Sequence, residues 1–171
     1  MGRHDLVSEW APIRERMRTD IETRGWNGAQ GFYTQSYGGD SPDAANLLIP
    51  AINFVSHRDE RFQKTIDAYE RILRVGRGVY RYRTADDFGI PKTTFTICAF
   101  WMADALWVAG RKAEARELFS SILHGANHVG LLSEDMDPET GELWGNFPQT
   151  YSHVGLINTA MRISQSWDDA F

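Results

Sequence analysis

The 171-residue sequence has one cysteine, six prolines and no surplus of positive charge: 18 Lys+Arg stand against 23 Asp+Glu, a formal net charge of −5. A lone Cys98 makes no internal disulfide, and its apolar setting in residues 95–101 reads as core, so the thiol fits a reducing compartment. The acidic balance argues against nucleic acid as a partner, because a phosphate backbone selects clustered Lys and Arg. No window approaches the ~18 apolar residues of a membrane span, and residues 1–10 lack the apolar stretch of a signal peptide. The expectation is a cytoplasmic chain with no membrane partner. Also missing are Gly-x-Gly-x-x-Gly, the P-loop, Gly-x-Ser-x-Gly and His-Glu-x-x-His, so nucleotide-binding, serine-hydrolase and zincin readings have no footing.

What the sequence does have is the composition of one soluble domain, or part of one, with 42% hydrophobic and 24% charged residues. Aromatics reach 12%, with six Trp, several of them in Gly-rich connections. Aromatic side chains in loops suggest a binding surface, and sugar rings are one ligand that uses them.

Apolar periodicity predicts six helices, at residues 8–23, 44–55, 59–75, 94–109, 113–122 and 150–166. Ser8 is a plausible N-cap for the first, which keeps Pro12 within its first turn. Amphipathic segments (8–23, 59–75, 113–122) alternate with segments that are apolar almost all round (44–55, 94–109, 150–166). That alternation is what two concentric helical layers require, because an inner helix has neighbours on every side and an outer one does not. The fold class is all-α. Residues 79–83 alternate over a strand length, which would send Arg81 and Arg83 to one side and Tyr80 and Tyr82 to the other. Residues 130–149 form a connection far longer than the usual four to six residues, and such loops are usually functional.

Within that loop Glu134 and Asp135 emerge just after the apolar pair Leu131-Leu132. An anchored backbone, a carboxylate facing a cavity and nearby aromatics are what a general base needs; the alternative is a solvated turn. Calcium binding by Asp135-x-Asp137-x-Glu139 fails, because Thr140 and Asn146 stand where an EF-hand loop has Gly and Glu. His124 and His128 are four apart, but the helix between them is weakened by Gly125 and Asn127 and no third ligand is evident, so no metal is assigned. Arg81 offers a guanidinium to a hydroxyl-rich ligand or simply lies on a solvated strand face. No cofactor is implied.

The run Leu131-Leu-Ser-Glu-Asp-Met-Asp-Pro-Glu-Thr-Gly-Glu-Leu-Trp-Gly-Asn-Phe-Pro-Gln-Thr-Tyr-Ser-His-Val-Gly-Leu-Ile-Asn158 closely resembles the C-terminal signature of glycoside hydrolase family 15, the glucoamylases, glucodextranases and bacterial trehalases. Tyr37-Gly-Gly-Asp-Ser-Pro-Asp-Ala-Ala-Asn-Leu-Leu48, Tyr80-Arg-Tyr-Arg83 and Phe95-Thr-Ile-Cys-Ala-Phe-Trp-Met-Ala-Asp-Ala-Leu106 match in the family's order and spacing. The resemblance covers essentially the whole of residues 1–171 and implies the C-terminal portion, about half, of an (α/α)₆ barrel. It implies hydrolysis of α-glucosidic bonds with inversion, with Glu134 as general base. It also implies that Arg81 contacts substrate and that Trp144 and Tyr151 are sugar-facing aromatics.

Two features depart from the family pattern. Lys92 stands where bacterial relatives tend to carry an acidic residue. The family's general acid lies on a segment N-terminal to anything in this sequence, and an inverting mechanism needs two carboxyl groups. The isolated chain is therefore expected to be inactive and to expose inner-helix faces, which points to a homodimer or a complementing N-terminal half as partner. The competing reading is a non-catalytic helical scaffold that binds carbohydrate or protein. Residues 101–119 have the Ala and Gly spacing of a tetratricopeptide hairpin, yet the pattern does not recur about 34 residues away.

Overall fold

The computed structural model of the chain describes residues 4–164. At its centre is α3 (Thr96–Val108), whose segment Thr96–Phe100 and residues Met102, Ala103, Ala105 and Leu106 are all buried. So apolar a helix has no solvent face to offer, and neighbours cover it on several sides. Gly110, at φ +87°, turns the chain back into α4 (Lys112–Leu123), which packs along α3 through Ala115, Leu118 and Ile122. A second amphipathic helix, α2 (Glu60–Leu73), begins at Asp59, whose carboxylate accepts from the amides of Arg61 (2.8 Å) and Phe62 (3.3 Å). Its buried face is Phe62, Ile66, Tyr69 and Leu73, at spacings of four, three and four. The last helix, α5 (Thr150–Ile163), approaches α3 closely at Gly155, where a Cβ would come within 2.4 Å of Ile97 Cδ1.

The architecture is therefore all-α, with the buried helix α3 inside and the half-buried helices α2 and α4 outside it. Short strands only trim the helix ends. Strands β1 (Trp26–Asn27) and β2 (Phe32–Tyr33) form one ribbon, and β3 (Arg74–Val75) with β4 (Gly78–Val79) a second. A three-stranded sheet joins β5 (Thr94–Phe95), β6 (Asp135–Met136) and β7 (Leu143–Trp144), with Phe95 opposite Asp135 and Asp135 opposite Trp144.

Four local expectations are corrected. The first helix, α1, runs His4–Arg24 and contains Pro12 in its interior, so Ser8 is not its cap and the proline removes one backbone hydrogen bond there. The apolar segment 44–55 is a short 3-10 helix, Ala44–Leu48, followed by turns. Pro50 has no N–H to carry a longer helix, and Asn53 sits at φ +57°, outside helical space. The strand expected at 79–83 ends at Val79: the Tyr80 amide still reaches Leu73 O at 2.9 Å, but the backbone then leaves that partner, and Arg81 O accepts the amide of Ala44 at 2.8 Å instead. Without a ladder the two-residue alternation lapses. Arg83 packs its guanidinium 4.5 Å from the Tyr80 ring centre, while Tyr82 and Arg81 line a common cleft. The long connection 130–149 likewise folds into the β6–β7 hairpin, closed by Asp137 accepting from the amides of Glu139 (2.8 Å) and Thr140 (2.9 Å).

Two helices carry apolar stripes with nothing on them. Trp10, Ile13 and Met17 on α1 are exposed, at helical spacing, as are Val154, Ile157 and Met161 on α5. Met161 is 74% exposed, which the core of a closed fold does not tolerate. The expected inner character of segment 150–166 thus shows as a helix buried on the α3 side only, and residues 165 and 166 lie outside the described residues. None of the described helices is long and apolar enough to cross a membrane.

Candidate active site

Glu134 is held from both directions along its backbone. Its amide donates to Asn146 O at 2.9 Å, and its carbonyl accepts the amide of Thr96, the first residue of α3, at 2.9 Å. The most buried helix of the molecule thus fixes the carboxylate's root. At the other end of the side chain, Oε2 accepts from the amide of Asn146 (3.1 Å) and from its Nδ2 (2.8 Å). Oε1 accepts no hydrogen bond from any described residue. One oxygen is thereby oriented and the other left for a ligand or water. Gly145 makes this geometry possible: at φ +75° it adopts a conformation that favours glycine, and a Cβ there would sit 2.9 Å from Glu134 Oε2.

Glu134 opens onto a cleft of about 690 Å³ that Arg81, Tyr82, Lys92, Thr93 and Asp135 also line. Arg81 reaches it from the end of β4, with its Nε donating to Asp43 Oδ1 at 2.9 Å. Asp43 caps the 3-10 helix by accepting from the amide of Ala45 at 2.8 Å, so Arg81 is anchored to a carboxylate that is itself fixed. That hydrogen bond is the main reason the guanidinium's pKa is raised. Its other N–H groups donate to no described residue, and a guanidinium lining the cleft offers them in a fork suited to sugar hydroxyls.

Asp135 receives the Thr93 hydroxyl at 2.6 Å on Oδ2. Burial pushes its pKa up, Thr93 opposes the shift, and the charge of Glu134 adds to it. Folding therefore favours the protonated form, and stability contributed by this group falls as pH rises from the ordinary carboxylate range through the raised value. Asp135→Asn is expected to flatten that decline, as read by thermal melts between about pH 4 and 7.

Of the four residues singled out from the sequence, Glu134 and Arg81 share the cleft. Trp144 lies opposite Asp135 in the sheet, 52% exposed, and is not among the residues lining it. Tyr151, 46% exposed, packs its ring against Phe95 and Trp101 and lines a separate cavity of about 530 Å³ between α3, α5 and the 44–57 segment. Sequence reasoning missed Asn146 and Asp43, the residues that aim Glu134 and Arg81. Asp43 carried a legible signal as a cap, but nothing local showed that it would meet an arginine 38 residues away. No cluster of three or more His, Cys, Asp or Glu able to hold a metal occurs among the described residues. Helix α4 ends at Leu123, one residue before His124, so His124 and His128 do not share a helical face.

The sequence profile of glycosyl hydrolases family 15 matches residues 1–161. The chain belongs to that family. Among its relatives are the trehalases of Thermoplasma acidophilum (33% identical over 168 residues, 98% of this chain) and of Mycolicibacterium smegmatis (34% over 172 residues, 99% of this chain). The chain spans 29% and 26% of those two proteins. A solved wild-type glycosidase superposes with a TM-score of 0.77 at 20% identity, over 91% of this chain and 44% of the glycosidase. That likeness shows the fold: the helices described here are part of the family 15 helical barrel.

Proposed function

We propose that this chain is the base-carrying C-terminal portion of a catalytic barrel that hydrolyses α-glucosidic bonds, trehalose among them, with inversion. The observation that carries the reading is the Glu134 carboxylate, with Oε2 fixed by Asn146 and Oε1 open, in a cleft shared with the anchored Arg81. Family membership and the trehalase relatives support it.

In this mechanism a water bound at Glu134 Oε1 gives its proton to the carboxylate as its oxygen attacks the anomeric carbon. The attack comes from the face opposite the glycosidic oxygen, and Arg81 orients the ring by its hydroxyls. The leaving oxygen needs a proton from a second carboxyl group, and this one lies on a segment outside the chain. Asp86 does not provide it. The Tyr82 hydroxyl on its carboxylate holds its pKa down, so it stays ionised.

The remaining helices of the barrel cover the apolar stripes of α1 and α5. Taken alone, the chain is expected to self-associate, and a monodisperse monomer by light scattering at micromolar concentration would contradict this. Two substitutions probe the site in a complete barrel whose C-terminal portion is this chain. Arg81→Lys loses the Nε–Asp43 anchor and raises KM about tenfold with little change in fold, because the three donors of Lys sit on one nitrogen and cannot span Asp43 and the substrate as the guanidinium fork does. Gly145→Ala costs about 1–2 kcal/mol of backbone strain and crowds Glu134 Oε2, lowering kcat; an unchanged kcat would show that Glu134 does not need this placement. The reading as a whole is tested by glucose release from trehalose. Release that survives Glu134→Gln overturns it.

A further inference from the structure

The segment between Arg83 and Thr93 presents Phe88 at 99% exposure, with Ile90 two residues on at 65%. A phenyl ring wholly in water contributes little to folding and leaves its faces free to meet a ligand. The turn that carries it is firmly built. The Asp86 carboxylate accepts the Tyr82 hydroxyl on Oδ2 (2.6 Å) and the Phe88 amide on Oδ1 (2.8 Å). Asp86 and Gly89 exchange backbone hydrogen bonds in both directions, at 3.1 and 3.0 Å. Gly89 takes φ +98°, which closes the turn in a conformation that other residues rarely adopt. The ring is thus held out on a braced tip.

Phe88 and Ile90 line the same cleft as Glu134 and Arg81. We infer that Phe88 is the stacking platform for the leaving sugar ring of a disaccharide whose other ring is held by Arg81 and attacked at Glu134; this rests on the function proposed above. A pyranose has hydroxyls around its edge and C–H bonds on its faces, so it suits a cleft that combines an aromatic face with charged hydrogen-bonding groups. A polypeptide partner fits less well. Covering Phe88 with protein would also take the charges of Arg81, Lys92, Asp86 and Glu134 around it out of water, a desolvation cost that Asp43, Tyr82 and Asn146 offset only in part.

The test uses a complete barrel whose C-terminal portion is this chain, carrying Glu134→Gln throughout so that trehalose is not consumed, and titrates it calorimetrically with glucose and with trehalose, for the otherwise wild-type protein, Phe88→Ala and Phe88→Trp. The inference expects trehalose to bind the wild type more tightly than glucose does. Phe88→Ala should weaken trehalose about tenfold without changing glucose affinity, and Phe88→Trp should retain the wild-type preference. The melting temperature should be unchanged in Phe88→Ala, because the exposed ring packs on nothing. Equal trehalose affinity in Phe88→Ala and wild type overturns the inference and leaves the proposed function standing. A lowered melting temperature in Phe88→Ala also overturns it, since the ring would then be packed against protein. Failure of the wild type to bind either sugar overturns the reading of the cleft, and this inference with it.

Discussion

Glu134→Gln, introduced into a complete barrel containing this chain, is expected to lower turnover about a thousandfold while leaving KM nearly unchanged. Gln keeps an oxygen where Asn146 donates its amide and Nδ2 hydrogens, and it keeps the volume beneath Gly145, so the loop holds its shape. What Gln lacks is a site for the proton of the attacking water. A structural role for Glu134 would give a different pattern: both the thermal midpoint and KM would move, and kcat would fall only in proportion to the folded fraction. Stopped assays of glucose release at saturating trehalose, with a melt of each variant, separate the two.

The largest effect on stability is expected one layer behind the site. Gly78 in β4 is buried against Thr94, and a Cβ there would lie 2.3 Å from Thr94 Oγ1 and 2.7 Å from its Cβ. Thr94 has nowhere to move. It is buried, its hydroxyl donates to Met136 O at 2.9 Å, and its strand β5 is paired to β6. Gly78→Val is therefore expected to destabilise by about 3 kcal/mol, roughly 6–12 °C in thermal midpoint. Because β6 follows directly from Glu134, the same variant should also lose turnover. Gly28→Ala is the control: its Cβ would meet nothing nearer than Trp26 Nε1 at 3.8 Å, and its effect is expected to stay within about 0.5 kcal/mol.

The parts of this molecule that were legible in the sequence are those written in contiguous residues. The α3–α4 hairpin follows from an all-apolar segment, a glycine and an amphipathic one, and α2 follows from an acidic cap and a buried face at helical spacing. The position of Glu134 is carried by a loop motif within a single run. Elements that depend on distant partners were not legible. Residues 44–55 are apolar enough for a helix, but Pro50 and Asn53 break it and Asp43 is engaged by Arg81 from beyond α2. Residues 79–83 alternate like a strand, but no second strand reaches past Val79. Composition counted Phe88 as one more loop aromatic. Its exposure beside the cleft is set by the fold, and so are the bare stripes on α1 and α5, whose apolar pattern alone predicts burial.

The central claim is that Glu134 activates water for attack with inversion, and the anomeric configuration of the first-formed product tests it most directly. Proton NMR of trehalose hydrolysis by a complete barrel bearing this chain, recorded before mutarotation, should show β-glucose and α-glucose released in equal amounts. One ring is inverted by water and the other leaves with its configuration intact, and both signals should vanish with Glu134→Gln. Release of α-glucose alone, or unchanged product formation in Glu134→Gln, would contradict the account.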